Sequence, residues 1–422
     1  MNIKGKRYAI FGLGKSGLAT AKFLLAQGAV CVAWDDEAKS REKFAQDMNI
    51  TDKNAQILMP PEAWDWTGLT ALVLSPGIPH HFPMPHAVAE LAQNHGTPII
   101  GDIALLVQAA PEAKYIGITG TNGKSTTTSL IGYALQQIYG AARVAIGGNL
   151  GTAALDLPIL GSDGIYVLEL SSYQLELNRN LPLTAAVLLN ITPDHLARHG
   201  GWEGYVAAKK MIFDGMDESG LAVIALGDPM GIDQEFTLLH NAFIQAANKP
   251  TLTGVNANPN GRSYNDPDLN AEYWIESRAQ HRWVIHNSED MFDLADATNL
   301  RGWHNAQNAL AACAVLRHVG LTPRSIAEAF KTFPGLAHRQ ENVGQIANVQ
   351  FINDSKATNE DAAYYALVTY PNIYWLAGGR AKESGIRGLT DSMKNVSKAF
   401  LFGECAGEFA ATLAGNKIPY QH

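Results

Sequence analysis

Phosphate chemistry is written most densely into the segment Tyr115-Ile-Gly-Ile-Thr-Gly-Thr-Asn-Gly-Lys-Ser-Thr126. An apolar, β-branched run leads into a glycine-containing loop, and a helix-forming segment, Thr126 to Tyr139, follows at once. Backbone N–H groups in such a turn point at phosphate oxygens, and the positive end of the next helix adds to their pull. Lys124 is spaced to reach the terminal phosphates, and the Ser125 hydroxyl to ligate magnesium. Gly120, Thr121, Asn122, Gly123 and Thr126 complete the cradle. The strict GxxxxGK[ST] spacing is not met, because Ile118 stands where the pattern has its first glycine. The strand-loop-helix context, more than the string, points to a nucleoside triphosphate.

Other segments offer further chemistry. Gly12-x-Gly14-x-x-Gly17 follows an apolar run and has Asp35 and Asp36 about 20 residues on, the dinucleotide fingerprint. The same turn can cradle the diphosphate of any nucleotide-linked substrate, or serve only as a tight turn with close helix packing. Glu169 closes an apolar run, the position of a magnesium-binding acid or of an ordinary strand-end charge. Asp194 and His195 close another, where active sites gather in open α/β sheets. Lys209, on a helix-forming stretch, reads as a solvated lysine. Asn305 and Asn308 share one helix face and could bond an adenine or ribose, or cap the helix. Arg339 could clamp a phosphate with two donors. Asn353-Asp-Ser-Lys-Ala-Thr-Asn359 is too polar for a core element and suits a binding loop.

The elements that must position these residues alternate between strand and helix patterns, which predicts parallel sheets with ligands at the strands' carboxyl ends. Three units are expected: residues 1–103, 104–335 and 336–422. The first has strands at Tyr8–Phe11, Ala29–Trp34, Ala71–Leu74 and Pro98–Ile100. The second holds the phosphate loop, with further strands at Val144–Ile146, Ile165–Leu170, Ala185–Asn190 and Leu221–Leu226. Asn, Pro and Gly crowd Asn256 to Asp268, after which Tyr273-Trp-Ile and Trp283-Val-Ile predict an antiparallel hairpin. Trp303 to Val319 predicts a helix. The third unit is expected to place strands at Val349–Ile352, Ile373–Ala377 and Ala399–Phe402 in an α/β arrangement.

Composition narrows the classes. A net charge of -8 argues against a nucleic-acid binder, which needs a basic face. Cys31, Cys313 and Cys405 lie far apart without metal-ligand spacing, which fits a reducing cytoplasm. No apolar run approaches a membrane span, and no signal-peptide pattern opens the chain.

Taken together, Thr119-Gly-Thr-Asn-Gly-Lys-Ser125, Gly147-Gly-Asn149, Leu168-Glu-Leu-Ser-Ser-Tyr-Gln174, Asn190-Ile-Thr-Pro-Asp-His195, Ala207-Ala-Lys209, His304-Asn-x-x-Asn308, His338-Arg339 and Asp354-Ser-Lys-Ala-Thr358 stand in the order seen in the Mur ligases. The chain resembles this family of ATP-dependent amino-acid ligases of peptidoglycan precursor synthesis. The resemblance runs from residue 1 to about 405. The N-terminal glycine turn with Leu74-Ser-Pro-Gly-Ile78, and Ile352-Asn-Asp-Ser-Lys-Ala-Thr-Asn359, resemble the branch that adds D-glutamate to UDP-N-acetylmuramoyl-L-alanine.

The resemblance implies a Rossmann-like N-terminal domain, a central P-loop ATPase-like sheet with an antiparallel patch, and a Rossmann-like C-terminal domain. It implies ATP and two Mg2+ ions, one on Ser125 and Glu169. The second ion would involve His195 and a Lys209 carbamylated by CO2. Asn305, Asn308, Arg339 and Asp354 would contact the nucleotide. Gly14, Lys15, Ser16, Asp35, Asp36, Ser75 and Gly77 would hold the uridine diphosphate. Asn149, Ser171, Gln174 and His195 would meet the muramoyl portion, and Lys356, Thr358 and Lys382 the incoming D-glutamate. A monomer is expected. In the family the third domain runs on through a further strand and a Ser-Pro-Ala-type loop, so an incomplete third unit with weak or absent ligation is expected here. A nicotinamide oxidoreductase, a ligase for another amino acid and a nonenzymatic nucleotide-binding remnant are the competing readings.

Overall fold

Short runs of buried, mostly β-branched and aliphatic residues form every strand that reaches the candidate site. The computed structural model describes residues 3–52, 54–226, 250–257, 271–380 and 385–422. In the first unit, β1 (Arg7–Phe11), β2 (Val30–Trp34), β3 (Ala71–Leu74) and β4 (Ile99–Ile100) pair in parallel in the order β2-β1-β3-β4. Helices α1 (Lys15–Ala26), α2 (Ala38–Asp47) and α3 (Ala87–Asn94) connect them. The glycine turn between β1 and α1 is dictated by packing. Gly12 has φ 91°, and a Cβ there would lie 2.5 Å from Ser75 Cβ. A Cβ on Gly17 would lie 1.9 Å from the Gly12 carbonyl oxygen. A side chain at either position would force the turn open.

The second unit follows from α4 (Asp102–Ala109). Its elements are β5 (Lys114–Thr119), α5 (Lys124–Tyr139), β6 (Val144–Gly148), β7 (Ile165–Glu169), α6 (Ser172–Leu177), β8 (Ala185–Leu188), α7 (Leu196–His199), α8 (Trp202–Lys210), β9 (Leu221–Ala225), β10 (Thr251–Asn256), β11 (Tyr273–Arg278), β12 (His281–His286), β13 (Glu289–Asp293), α9 (Trp303–His318) and α10 (Pro323–Thr332). Among the described residues they build a nine-stranded sheet, β13-β12-β11-β10-β9-β8-β5-β7-β6. From β6 to β11 neighbouring strands are parallel, and β11-β12-β13 are antiparallel, as the expected hairpin requires. Strands β7, β8 and β9 are buried along their whole length, the mark of a parallel sheet covered on both faces. Leu130, Ile131 and Leu135 of α5 pack with Leu310, Val315 and Leu316 of α9 in the core on one face. On the other, residues of α8 and the segment after it share one core with α4 and the first unit. Residues 258–268 of the Asn/Pro/Gly-rich stretch lie outside the described residues.

The third unit departs from expectation at its first strand. β15 (Val349–Asn353) does not join the parallel sheet. It pairs antiparallel with β14 (Glu341–Ile346), a strand that apolar periodicity misses, through a turn with Ala347 at φ 50°. Most residues of this hairpin are exposed, so no buried face marks β14 in the sequence. After α11 (Glu360–Thr369), β16 (Ile373–Gly378), β17 (Val396–Phe402), α12 (Ala406–Gly415) and β18 (Tyr420–Gln421) form a three-stranded parallel sheet. Its buried residues pack on Leu367, Phe409 and Leu413, and Tyr374, Leu376 and Phe402 on the other face are exposed.

The glycine turn yields a direct test of this packing. Gly17→Ala should cost on the order of 1–3 kcal/mol by denaturant unfolding, because its methyl meets a backbone oxygen. Gly14→Ala, with nothing within 4 Å of the added carbon, should cost under about 1 kcal/mol. Equal costs at the two positions would contradict the packing argument.

Candidate active site

The phosphate-type loop is held from two sides. Gly120 (φ 153°) and Gly123 (φ 84°) adopt backbone angles that L side chains rarely take. The segment after β8 templates the rest. Thr121 N–H donates to the Asn190 carbonyl (3.0 Å), and Asn122 N–H donates to Asn190 Oδ1 (2.8 Å). Asn190 Nδ2 returns a bond to the Asn122 carbonyl (3.1 Å), and Thr192 N–H donates to Thr121 Oγ1 (2.9 Å). The loop ends on the N-terminus of the 16-residue α5, whose dipole and free N–H groups favour an anion. Lys124 Nζ donates to the carbonyls of Gly120 and Thr121, both at 2.8 Å, so the ammonium lies across the loop. Burial pushes its pKa down, partly offset by the Glu169 carboxylate.

The structure brings Ser125 and Glu169 together. Ser125 Oγ donates to Glu169 Oε2 at 2.6 Å, and Asn149 Nδ2 donates to Glu169 Oε1 at 2.8 Å. Arg339, 214 residues further along, donates from Nη2 to Ser125 Oγ at 3.0 Å. The hydroxyl and carboxylate pair suits a magnesium ion that takes its remaining ligands from phosphates and water. Among the described residues, no cluster of three or more His, Cys, Asp or Glu side chains could hold a metal alone.

Two clefts take residues of this loop into their linings. The first is lined by Asn122, Gly123 and Thr126, by Asn305 and Asn308 of α9, and by Arg339, Asp354 and Lys356 of the third unit. The second is lined by Lys15, Ser16 and Gly77 of the first unit with Thr121, Lys124, Asn149, Ser171, Gln174, Asp194, His195 and Lys209.

Lys209 overturns its residue-level reading as a solvated side chain. It is 2% exposed, and Nζ donates to the Gly120 carbonyl at 2.7 Å. Burial, and then the neighbouring Lys124 ammonium, push its pKa well below the usual lysine range. A neutral, buried amine is the form that reacts with CO2. His195 stands in the left-handed region (φ 52°) at the start of α7, half exposed, 3.4 Å from the Asp194 carboxylate.

The remaining predicted residues divide. Asn305 and Asn308 do not cap α9: Asn305 Nδ2 donates to the Arg301 carbonyl (2.9 Å), and Asn308 Nδ2 to Asn305 Oδ1 (3.2 Å). Asn308 Oδ1 crowds the place where a Gly123 side chain would start. Asp35 turns onto its own loop, accepting from Leu13 N–H (2.7 Å) and Glu37 N–H (2.9 Å), and Asp36 pairs with His86 (2.8 Å). Ser75 Oγ donates to the Gly12 carbonyl (2.8 Å), and Lys15 Nζ donates to the Gly151 carbonyl. Ser171 and Gln174 form a capping box on α6. Lys356 lines the first cleft, whereas Thr358 is exposed and not among its lining residues. Lys382 lies outside the described residues.

Sequence reasoning missed the aromatic and histidine members. Tyr205 OH lies 3.0 Å from Thr121 Oγ1, and its ring lies under the Lys209 amine (4.8 Å). His304, whose ring is tilted 36° to that of Tyr365 with centroids 4.5 Å apart, has its pKa pushed down to about 3 by burial. Helical spacing from Lys209 could have flagged Tyr205, one turn earlier on the same face. Nothing local pairs His304 with Tyr365.

Asp354 gives a pH signature. Burial raises its carboxyl to about 6 from an ordinary 3.8, although a bond from Gln340 N–H (3.0 Å) opposes this. Between these values the folded state binds more protons than the unfolded one, so this contribution is full below about 3.8 and is lost as pH rises through about 6. Relative to Asp354→Asn, the parent should lose on the order of 1–3 kcal/mol of stability from pH 4 to 7. Parallel stability profiles from denaturant titrations would rule this out.

Comparison with known proteins converges on these segments. Residues 118–316 match the Mur ligase middle domain, and residues 6–101 match the Mur ligase MurD-like N-terminal domain. The chain is 46% identical over 417 residues to a UDP-N-acetylmuramoylalanine--D-glutamate ligase of Paramagnetospirillum magneticum, covering 98% of this chain and 84% of that one. It is 44% identical to the enzyme of that name from Rhodospirillum rubrum, covering 98% and 83%. The fold matches the crystal structure of UDP-N-acetylmuramate-alanine ligase from Thermotoga maritima, with a TM-score of 0.60 at 17% identity over 98% of this chain and 89% of that one. The chain belongs to the Mur ligase family.

Proposed function

We propose that this protein is an ATP-dependent ligase that joins D-glutamate to UDP-N-acetylmuramoyl-L-alanine in peptidoglycan precursor synthesis. One observation supports the chemistry above all: a single loop, residues 120–126, contributes to the lining of both clefts. A triphosphate in the first and a carboxylate in the second would face each other across Lys124. The relatives named for this reaction share nearly the full chain.

The residues then take the following roles. Asn305, Asn308, Arg339 and Asp354 hold the nucleotide, and the loop N–H groups with Lys124 hold its phosphates. The first unit's glycine turn, with Lys15, Ser16 and Gly77, takes the uridine diphosphate. Asn149, Ser171 and Gln174 face the muramoyl part, and Lys356 the D-glutamate. A carboxylate is a poor electrophile at neutral pH. Its oxygen attacks the γ-phosphorus, the bond to the β-phosphate oxygen breaks, and ADP leaves an acyl phosphate. The amine of D-glutamate attacks the acyl carbon, the carbon–oxygen bond breaks, and inorganic phosphate departs. The amine proton goes to a base, for which His195 is the candidate. Lys124 and Arg339 stabilise the charge on the moving phosphoryl group.

Ser125 and Glu169 would hold one magnesium ion, and His195 with a Lys209 carbamate a second. Bound there, the ions would neutralise charge on the phosphate oxygens. The depressed pKa of Lys209 supports the carbamate, since burial favours the neutral amine and an ammonium cannot attack CO2. The cytoplasm is the proposed location. Cys31, Cys313 and Cys405 are free thiols, and among the described residues no helix is long and apolar enough to cross a membrane.

Two experiments test this. Against the weak or absent ligation expected from the sequence, phosphate release by the 422-residue chain, with ATP, UDP-N-acetylmuramoyl-L-alanine and a panel of amino acids, should be measurable and require D-glutamate; equal release with another amino acid would redirect the assignment. Lys209→Ala should lower kcat by on the order of a hundredfold or more. Isotope-labelled bicarbonate should give a lysine carbamate NMR signal in the parent that the variant lacks. Normal turnover in the variant, or no signal in the parent, would remove the carbamate from the account.

A further inference from the structure

A buried polar cluster lies behind the second cleft and outside the residues assigned above. Arg198 and His199 end α7, one turn beyond His195. Arg198 Nη2 donates to the Ile78 carbonyl of the first unit at 3.1 Å. Its Nη1 faces Glu176 Oε2 of α6 at 3.5 Å, and its guanidinium lies 5.1 Å from the centre of the Tyr173 ring. The Arg198 and Glu176 side chains are only 10% and 11% exposed. His199 is fully buried, with Nδ1 3.0 Å from Glu176 Oε1 and Nε2 3.0 Å from Ser172 Oγ.

Each partner touches the cleft wall. Ser172 and Tyr173 line the second cleft beside His195, and so do Pro76 and Gly77, just before Ile78. The Tyr173 ring is 5.3 Å from both the His195 and His199 rings. One guanidinium therefore connects a first-unit loop, the α6 wall and the His195 strand end. A planar fork can serve a carbonyl and a carboxylate at once while stacking on a ring, which an ammonium cannot do. Burial pushes the Glu176 carboxyl up, but the bond from His199 and the charges of His199, His80 and Arg198 outweigh it and hold the group below its ordinary range. The carboxylate is thus kept charged opposite Arg198.

We infer that Arg198 is a positioning residue for the sugar-nucleotide substrate, fixing the 76–78 loop and Tyr173 as one rigid wall of the second cleft. This rests on the reading that the second cleft takes that substrate. Removing the guanidinium leaves Glu176 with His199 as a partner, so the fold should persist while the wall loosens.

The test compares parent, Arg198→Met and Arg198→Lys by calorimetric titration with UDP-N-acetylmuramoyl-L-alanine and, separately, with ATP. Both variants should bind the sugar nucleotide about tenfold more weakly or worse, the loss set by one buried charged hydrogen bond. Affinity for ATP should not follow, KM should rise for the sugar nucleotide alone, and amide exchange should quicken at residues 75–81. If Arg198→Met fails to fold, Arg198→Lys decides. Unchanged sugar-nucleotide affinity in the variants overturns the inference, as does an equal loss for both ligands. A parent that binds no sugar nucleotide refutes the functional reading instead.

Discussion

Two buried lysines converge on one backbone oxygen. The Gly120 carbonyl accepts from Lys124 at 2.8 Å and from Lys209 at 2.7 Å. Burial lowers the pKa of both ammonium groups, and more for the deeper one. Lys209, 2% exposed, is that one. The pair is asymmetric: Lys124 lies at the loop mouth for phosphate, and beneath it is an amine whose pKa is pushed well below the usual lysine range.

The rest of the architecture keeps that pair and its loop in place. Buried β5 delivers the loop, and the segment after β8 templates it through Asn190 and Thr192. Strand β7 sets Glu169 opposite Ser125, and α9 sets Asn308 against Gly123. Among the described residues of the third unit, Arg339 reaches the Ser125–Glu169 pair, so that unit's orientation bears directly on the phosphate end of the first cleft. Closure of such a unit would exclude water from an acyl phosphate.

Much of this was legible in the sequence because it is local. The strand-loop-helix around Lys124, the Glu169 strand end and the Asp194-His195 turn each carry their signal within a dozen residues. The α/β class and the β11–β12 hairpin followed from periodicity alone. What failed was non-local. Lys209 looks solvated in its helix, and only the packing of α8 under the 120–124 loop buries it. The Arg198–Glu176–Ile78 contact joins three segments up to 120 residues apart and has no motif. Strand β14 was missed because its exposed hairpin has no buried face to impose a pattern.

The claim beneath the whole account is that the loop separates a phosphoryl donor from a carboxylate acceptor. Heavy-oxygen labelling of the alanyl carboxylate of UDP-N-acetylmuramoyl-L-alanine tests it most directly. Transfer across the loop predicts that one labelled oxygen appears in the inorganic phosphate released as D-glutamate is joined. Unlabelled phosphate, with both labelled oxygens retained or lost elsewhere, would contradict it.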